Sequence, residues 1–520
     1  MVTEHGSSLW SLHSARLWIA FMLSVALCIE GLMRSNLNMA MVCMVNRTAV
    51  RNLEDSIKTT LSTQNLTTLP DIKNETCSYQ RTITSKQNKS YHGELVWTSQ
   101  QQAWIFAAYY AGTLLIVMPG SYFIDQCGAT MVVLIGALTN VIGSFLTPIV
   151  SRTVGAYALM FLRFLMGCGQ GVLVPATSVL IAAWFPEFEK STAVAIATSG
   201  NQFSIIFAMI FTAELCQVPF LDGWPLAFYI HGFFGLILCI LWAYYVKDVP
   251  TRYKKITDTE LAHIVGNSNG RGQKRKVAEP PWRKILGSTA VWATAASSFS
   301  QSFVTVGTIT YLPLYYGTVL NMDLSSNGLL SAMPFLCQLV TKVLFAGLAD
   351  RAKSGGFSVN SVTKFCNLSA SIGSAACYVL LMLLDCSHRW IAVTAVCFAI
   401  GITSGFIPGY NTSIVCLAPK YTSSVASFCR LWASIASVAA PYIIGIITKR
   451  SVLSEWRLAF CLMVFILLLA GVFFQISGSA VPEDWAQDQT CLKNLAKRDS
   501  EGLLDNTTTE KKDRQESIRD

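Results

Sequence analysis

Two arginines stand where a chain has little reason to place charge. Arg34 lies in IEGLMRSNLNMAMVCMV, residues 29–45, and Arg163 in RFLMGCGQGVLVPA, residues 163–176. Each falls about midway along an apolar run, too deep to snorkel easily to an interface. A guanidinium at the centre of a membrane helix costs about 2.5–3.5 kcal/mol, so two of them need a reason. Their planar donor forks fit a carboxylate or a phosphate. Glu30 precedes Arg34 by one helical turn. It could pair with Arg34 on one helix face, or carry a coupling proton. Gln170 can hydrogen-bond but cannot titrate, which suits the lining of a polar cavity.

Other chemistries do not fit the pattern. GCGQG at 167–171 has no strand before it and no Lys-Ser/Thr after it, so it is not a phosphate loop. Inside an apolar helix it reads as close helix packing. The chain has 16 cysteines, but no CxxC pair or Cys/His cluster has metal-ligand spacing. Most lie in apolar runs and read as small buried residues, with Cys77, in a polar loop, as the exception. No nucleophile–base pair is visible either. The expectation is a protein that is not an enzyme, with no catalytic residue, metal or cofactor, a coupling Na⁺ or H⁺ aside.

The elements that position these residues follow from composition. Of the 520 residues, 52% are hydrophobic and 13% charged. A soluble domain carries roughly 25% charged residues, so this chain cannot cover several polar surfaces. It can fill a bilayer, which needs about 20 apolar residues per helical span. Twelve such segments can be counted: 17–45, 101–124, 129–150, 154–183, 191–215, 225–246, 288–316, 325–348, 361–384, 390–417, 422–447 and 457–477. The predicted fold is an all-α polytopic membrane protein with residues 17–246 as one six-helix half and 288–477 as the other. Residues 1–16 and 478–520 are then terminal segments. The first segment lacks a cleavage site and reads as a span that stays.

Two loops orient the chain. Loop 46–98 is polar and carries the sequons at Asn65, Asn74 and Asn88, which glycosylation would place outside or in a lumen. Linker 247–287 is basic, with ten Lys or Arg between Lys247 and Lys284 against four acids. Between apolar spans this reads as a cytosolic loop, not a nucleic-acid surface. Five spans separate the two loops, so the assignments agree and both termini are cytosolic. Asp499, Leu503 and Leu504 in DSEGLL fit an acidic dileucine sorting signal that adaptors read. The halves also echo each other. PGSYFIDQCG (119–128) and FAGLADRAKSGG (345–356) end the second and eighth segments. Each places an acid near a glycine turn, and Asp125, Asp350 and Arg351 read as gating contacts at the cytosolic rim. Arg430, about eight residues into the eleventh segment, could snorkel or face a cavity.

With these motifs the chain resembles the sodium/anion cotransporter family of solute carriers, in the major facilitator superfamily. RSNLNMAMVCMVN (34–46), PGSYFIDQCG, RFLMGCGQGVLVPA, WFPEFEKS (184–191), NGLLSAMPFL (327–336), GLADRAKS (347–354), LAPKY (417–421) and EDWA (483–486) carry the resemblance in order, over about residues 20–486. It implies a major facilitator fold and alternating-access transport of a carboxylate- or phosphate-type anion, driven by Na⁺, H⁺ or membrane potential. It further implies a multi-pass protein of the plasma membrane or of vesicular or endolysosomal membranes. Arg34 and Arg163 match the family's first- and fourth-span arginines. Tyr109 and Tyr110 fall on its second-span aromatic pair, and Gln301 on the seventh-span position where glutamate transporters have Arg. Those two tyrosines and Gln301 join the expected substrate contacts. Phe106, Gln170 and Cys416 also depart from relatives, replacing a His, a Glu and an acid. The substrate therefore does not follow from the resemblance. The alternative reading is a non-transporting sensor on the same fold.

Overall fold

The computed structural model describes residues 14–46, 48–50, 52–53, 93–186, 189–220, 223–253, 256–266, 281–418 and 421–486. The sequons at Asn65, Asn74 and Asn88, and the sorting residues Asp499, Leu503 and Leu504, lie outside the described residues. The described residues are almost wholly helical. The first half is built of α1 (Ala15–Met44), α2 (Ser99–Cys127), α3 (Ala129–Thr153), α4 (Ala156–Gly171), α5 (Leu173–Trp184), α6 (Lys190–Leu215) and α7 (Trp224–Tyr245). Two short helices follow in the linker, α8 (Asp258–Gly266) and α9 (Trp282–Gly287). The second half comprises α10 (Thr289–Thr318), α11 (Leu324–Ser354), α12 (Val359–Leu383), α13 (Arg389–Ile402), α14 (Thr412–Leu417), α15 (Thr422–Ile447) and α16 (Leu453–Ser477).

Helices α4 and α5 together form the fourth long segment, and α13 with α14 the tenth, giving six per half. Ten of the twelve are long and apolar enough to cross a membrane. The other two are α2 and α10, both of which carry several Gln, Ser and Thr residues. Helix starts are set by local chemistry. Thr98 and Gln101 form a reciprocal capping box at α2. Asp323, Ser358 and Ser288 each accept an early backbone N–H of α11, α12 and α10.

Two segments are interrupted, the fourth and the tenth, at corresponding places in the two halves. The fourth breaks at Val172, just after Gln170 and three residues before Pro175. The tenth passes through a 3₁₀ turn (Thr403–Phe406) and a π turn (Ile407–Asn411), with non-helical backbone at Gly409. Irregular backbone at membrane depth survives only where protein or a cavity surrounds it, and Thr403, Ser404, Pro408, Gly409 and Tyr410 are all buried.

Glycine permits the tight packing that GCGQG foretold. A Cβ on Gly167 would strike the Tyr109 carbonyl of α2, and one on Gly169 the Gly136 carbonyl of α3. The halves meet at the end of the bundle where α2 begins, here the loop end. There Ser99 Oγ donates to the Lys449 carbonyl at 2.7 Å, Trp104 packs on Tyr442, and Ser325 donates to Glu214. A disulfide, Cys43–Cys216, joins the ends of α1 and α6 on the same side. The opposite end carries the start of α1 and the linker helices, here the linker end.

Two expectations change. Apolar segments ending at 124 and 348 leave Asp125 and Asp350 just past the expected helix ends, but α2 runs on to Cys127 and α11 to Ser354, so both aspartates are helical. The α2 turn comes later, at Gly128 with φ 85°, and its acid is Asp248, which accepts from Thr130 N at 2.8 Å and Thr130 Oγ1 at 3.0 Å. A polar helix can continue beyond the apolar limit because water, not lipid, meets its last turns.

Candidate functional site

The deepest charges of the first half converge. Arg163 is the eighth residue of α4 and 1% exposed. Its Cζ lies 5.9 Å from the ring centre of Phe228 on α7, a cation–π contact. Its Nε and Nη2 are buried without a hydrogen-bond partner among the described residues. Arg34, on α1, is half-buried and makes no ion pair or hydrogen bond with a described residue. Both arginines act electrostatically on Tyr109 and Tyr110 of α2, which fixes the four side chains in one region. The two phenol rings stand 5.8 Å apart, edge to face. Tyr109 Oη donates to Gln170 Oε1 at 3.3 Å. Four elements thus bring one residue set together: α1, α2, α4 and, through Phe228, α7.

Glu30 is 1% exposed, and neither carboxylate oxygen has a hydrogen-bond partner among the described residues. It does not form the ion pair with Arg34 that the one-turn spacing allowed. It lies in the same field, coupled electrostatically to Arg34, to Tyr109 and to Cys239 of α7. Leaving a buried polar group unmade costs about 1–3 kcal/mol, and more for a charged one. Glu30, Arg163 and Arg34 thus share one region in which the described chain leaves them open.

The second half treats its polar groups differently. Gln301 of α10 accepts from Tyr410 Oη at 2.5 Å. Gln338 Nε2 of α11 donates to Thr403 Oγ1 at 3.1 Å, and Asn367 Nδ2 of α12 to Ser297 Oγ at 3.3 Å. Gln301 is therefore engaged with the tenth segment. Asp350 and Arg351 are exposed, and Asp350 pairs with Lys353 one turn on, at 3.5 Å, within its own helix. Asp125 lies on α2 two residues before its end. The Cys43–Cys216 bridge was not foreseen, because both cysteines sit in apolar runs 173 residues apart.

A clamp at the linker end was also missed. Glu260 of α8 accepts from Ser14 Oγ at 2.7 Å, Ala15 N at 3.1 Å, Arg16 N at 3.1 Å and Arg16 Nε at 3.1 Å. Arg16 Nη1 reaches Glu189 at 2.5 Å, closing α1, α8 and the turn before α6 into one network. Burial alone would push the Glu260 carboxyl up. The hydrogen bonds from Ser14, Arg16 and Ala15 outweigh it and hold the group below the ordinary carboxylate value.

A helical membrane protein with this two-half plan is a transporter of the major facilitator class. The chain belongs to the Major Facilitator Superfamily, whose family description matches residues 23–441. It is a multi-pass transporter and not an enzyme. It is 29% identical to "Uncharacterized transporter slc-17.3" of Caenorhabditis elegans, over 91% of this chain and 90% of that one. It is 26% identical to sialin of Homo sapiens, over 91% of each. These relatives bear out the resemblance to the sodium/anion cotransporter family. Among solved structures it is similar to the bacterial homolog of the human lysosomal transporter Spinster in its inward-facing, occupied conformation. That likeness has a TM-score of 0.61 at 13% identity, with 91% of this chain and 97% of that one covered, and it concerns the fold.

Proposed function

We propose that the protein is a secondary transporter of a carboxylate- or phosphate-type anion, bound between Arg34 and Arg163. The observation that carries this reading is the pair of deep guanidinium groups with donors left unmade, Nε and Nη2 of Arg163 among them. A bound oxyanion supplies the missing acceptors in bidentate form. Tyr109, Tyr110 and Gln170 line the same space and orient it, and Glu30 carries the coupling proton. The groups that face Glu30 are Arg34 on its own helix, Tyr109 on α2 and Cys239 on α7. The two halves rock about this site, and the interrupted fourth and tenth segments are the usual mark of a midplane site. Asp125, Asp350 and Arg351 act at the rim, and Gln301 meets the anion from the second half. Both termini face the cytosol. The Cys43–Cys216 disulfide supports that orientation, since such bonds persist on the oxidising side of a membrane.

The test is uptake of a panel of anions by the purified protein in proteoliposomes, under imposed Na⁺ and H⁺ gradients and potential. Saturable uptake of an oxyanion is expected, abolished by Arg34→Ala and by Arg163→Ala, with Glu30→Gln insensitive to the proton gradient. Full uptake by both arginine variants would remove the assigned site.

A further inference from the structure

The second half holds a charged side chain that the central cluster leaves unused. Arg430 is the ninth residue of α15, about 13 Å along the helix from its linker-end start. It makes no ion pair or hydrogen bond with a described residue. Its side chain is exposed, although α15 packs on both α10 and α2. The helix face agrees. Ser423, Ser427, Arg430 and Ser434 recur at helical spacing as one polar stripe, with Ser423 and Ser427 also exposed. The buried face of α15 is made by Val425, Phe428, Cys429 and Ala436. A lipid-facing stripe would be apolar, and an arginine in it would carry the insertion cost noted above.

Arg430 also has a built setting. It acts electrostatically on Tyr410, which is 6% exposed and lies in the π turn of the tenth segment. Tyr410 Oη donates to Gln301 Oε1, which keeps the amide N–H groups of Gln301 as donors. Each half therefore sets a cation on or beside its interrupted helix. In the first half Arg163 lies on the interrupted helix itself, nine residues before the break at Val172, and Gln170, two residues before it, is held by Tyr109. In the second, Arg430 stands with Tyr410 and Gln301 beside the break at 403–411.

We propose that Arg430, backed by Tyr410 and Gln301, is a second oxyanion subsite on the linker-end side of the central one. The proposal deepens the anion-transport reading and rests on it. Arg34 is the twentieth residue of α1 counted from the same end, so roughly 16 Å of helix rise separate the two levels. One small oxyanion cannot bridge that distance. The anion occupies the two stations in turn, and Arg430 holds it between the centre and the linker-end opening.

The test uses the full-length protein in detergent, with inorganic phosphate, L-glutamate and N-acetylneuraminate as probes. The thermal midpoint is titrated with each, and the stabilising anion is then used in proteoliposome counterflow. The wild type shows saturable stabilisation by at least one probe, and Arg34→Ala abolishes counterflow while leaving the stabilisation that the second station provides. Arg430→Gln weakens the apparent affinity about ten-fold or more, the loss of one charge-assisted contact. Arg430→Lys, which keeps the charge, recovers most of that loss. Should Arg430→Gln fail to fold, Ser427→Asp sets a carboxylate on the same face and must weaken affinity by a similar factor. Unchanged affinity and counterflow in Arg430→Gln, or unchanged affinity in Ser427→Asp, with Arg34→Ala inactive, overturn the subsite and leave the central site standing. A wild type that answers to none of the three anions overturns the anion reading and the subsite together.

Discussion

Arg16 and Arg34 stand on one helix, eighteen residues and so five turns apart, on the same face. Arg16 is fully buried and fully engaged, with Glu260 at 3.1 Å and Glu189 at 2.5 Å. Arg34 makes no ion pair or hydrogen bond with a described residue. The residue type, helix and face are shared, and only the completeness of pairing differs. In the clamp, the acids that neutralise Arg16 come from the chain itself, so the network is finished on folding. At the centre, nothing in the described chain finishes Arg34 or the Nε and Nη2 donors of Arg163. The difference separates charge used to hold elements together from charge that the described chain leaves open, the charge we propose meets the anion.

The comparison can be broken most sharply by exchanging the roles in one experiment. Arg163→Ala is expected to eliminate uptake while leaving the thermal midpoint at or above that of the wild type, because it removes an uncompensated buried charge. Arg16→Ala should do the reverse. Removing one partner of a buried pair costs about 3–5 kcal/mol, so folded yield and midpoint fall. The KM of the surviving protein stays unchanged. Detergent unfolding and proteoliposome uptake read the two effects separately. A stable Arg16→Ala protein with altered KM would erase the distinction.

Glu260 sharpens the clamp side through pH. Its carboxyl is held below the ordinary value in the folded protein. The stabilisation is therefore fully present above the unfolded value, about 4.3, and is lost as pH falls through the lower folded value. Glu260→Gln removes that term. The midpoints of wild type and variant should differ at pH 7 and converge on acidification below about pH 4. A gap that widens in acid would contradict the assigned role.

The helices were legible in the sequence because apolar length is a direct demand of the bilayer. Segments 422–447 and 191–215 match α15 and α6 to within a residue. Segment 325–348 fell short of α11 by six residues, since the run to Ser354 is polar and apolarity cannot report a helix in water. Arg34 and Arg163 were legible for the opposite reason, as charges whose cost demands a use. The choice between pairing and openness for Glu30 was not, because spacing permits a contact and only rotamers decide it. Nothing in the spacing linked Arg16 to Glu260, which lies 244 residues away across a linker read only for its charge. Arg430 was visible as a residue but ambiguous between snorkelling and a cavity. The stripe Ser423, Ser427, Ser434 carried the answer and would have been readable from helical period alone.

The smallest expected effect tests how far the open cluster extends. Tyr109 donates to Gln170 across 3.3 Å, a long bond between two neutral groups. Such a bond contributes about 0.5–1.5 kcal/mol. Tyr109→Phe keeps the ring and its edge-to-face contact with Tyr110, so packing is preserved. If Tyr109 acts by orienting Gln170, the variant raises KM about two- to ten-fold with no change in thermal midpoint. If the phenol instead binds the anion directly alongside Arg34 and Arg163, the loss joins theirs and uptake falls by two orders of magnitude or more, about 2.7 kcal/mol. The first result confines the ligand-binding charge to the two arginines. The second moves Tyr109 from the supporting wall into the group of side chains that the fold leaves unfinished.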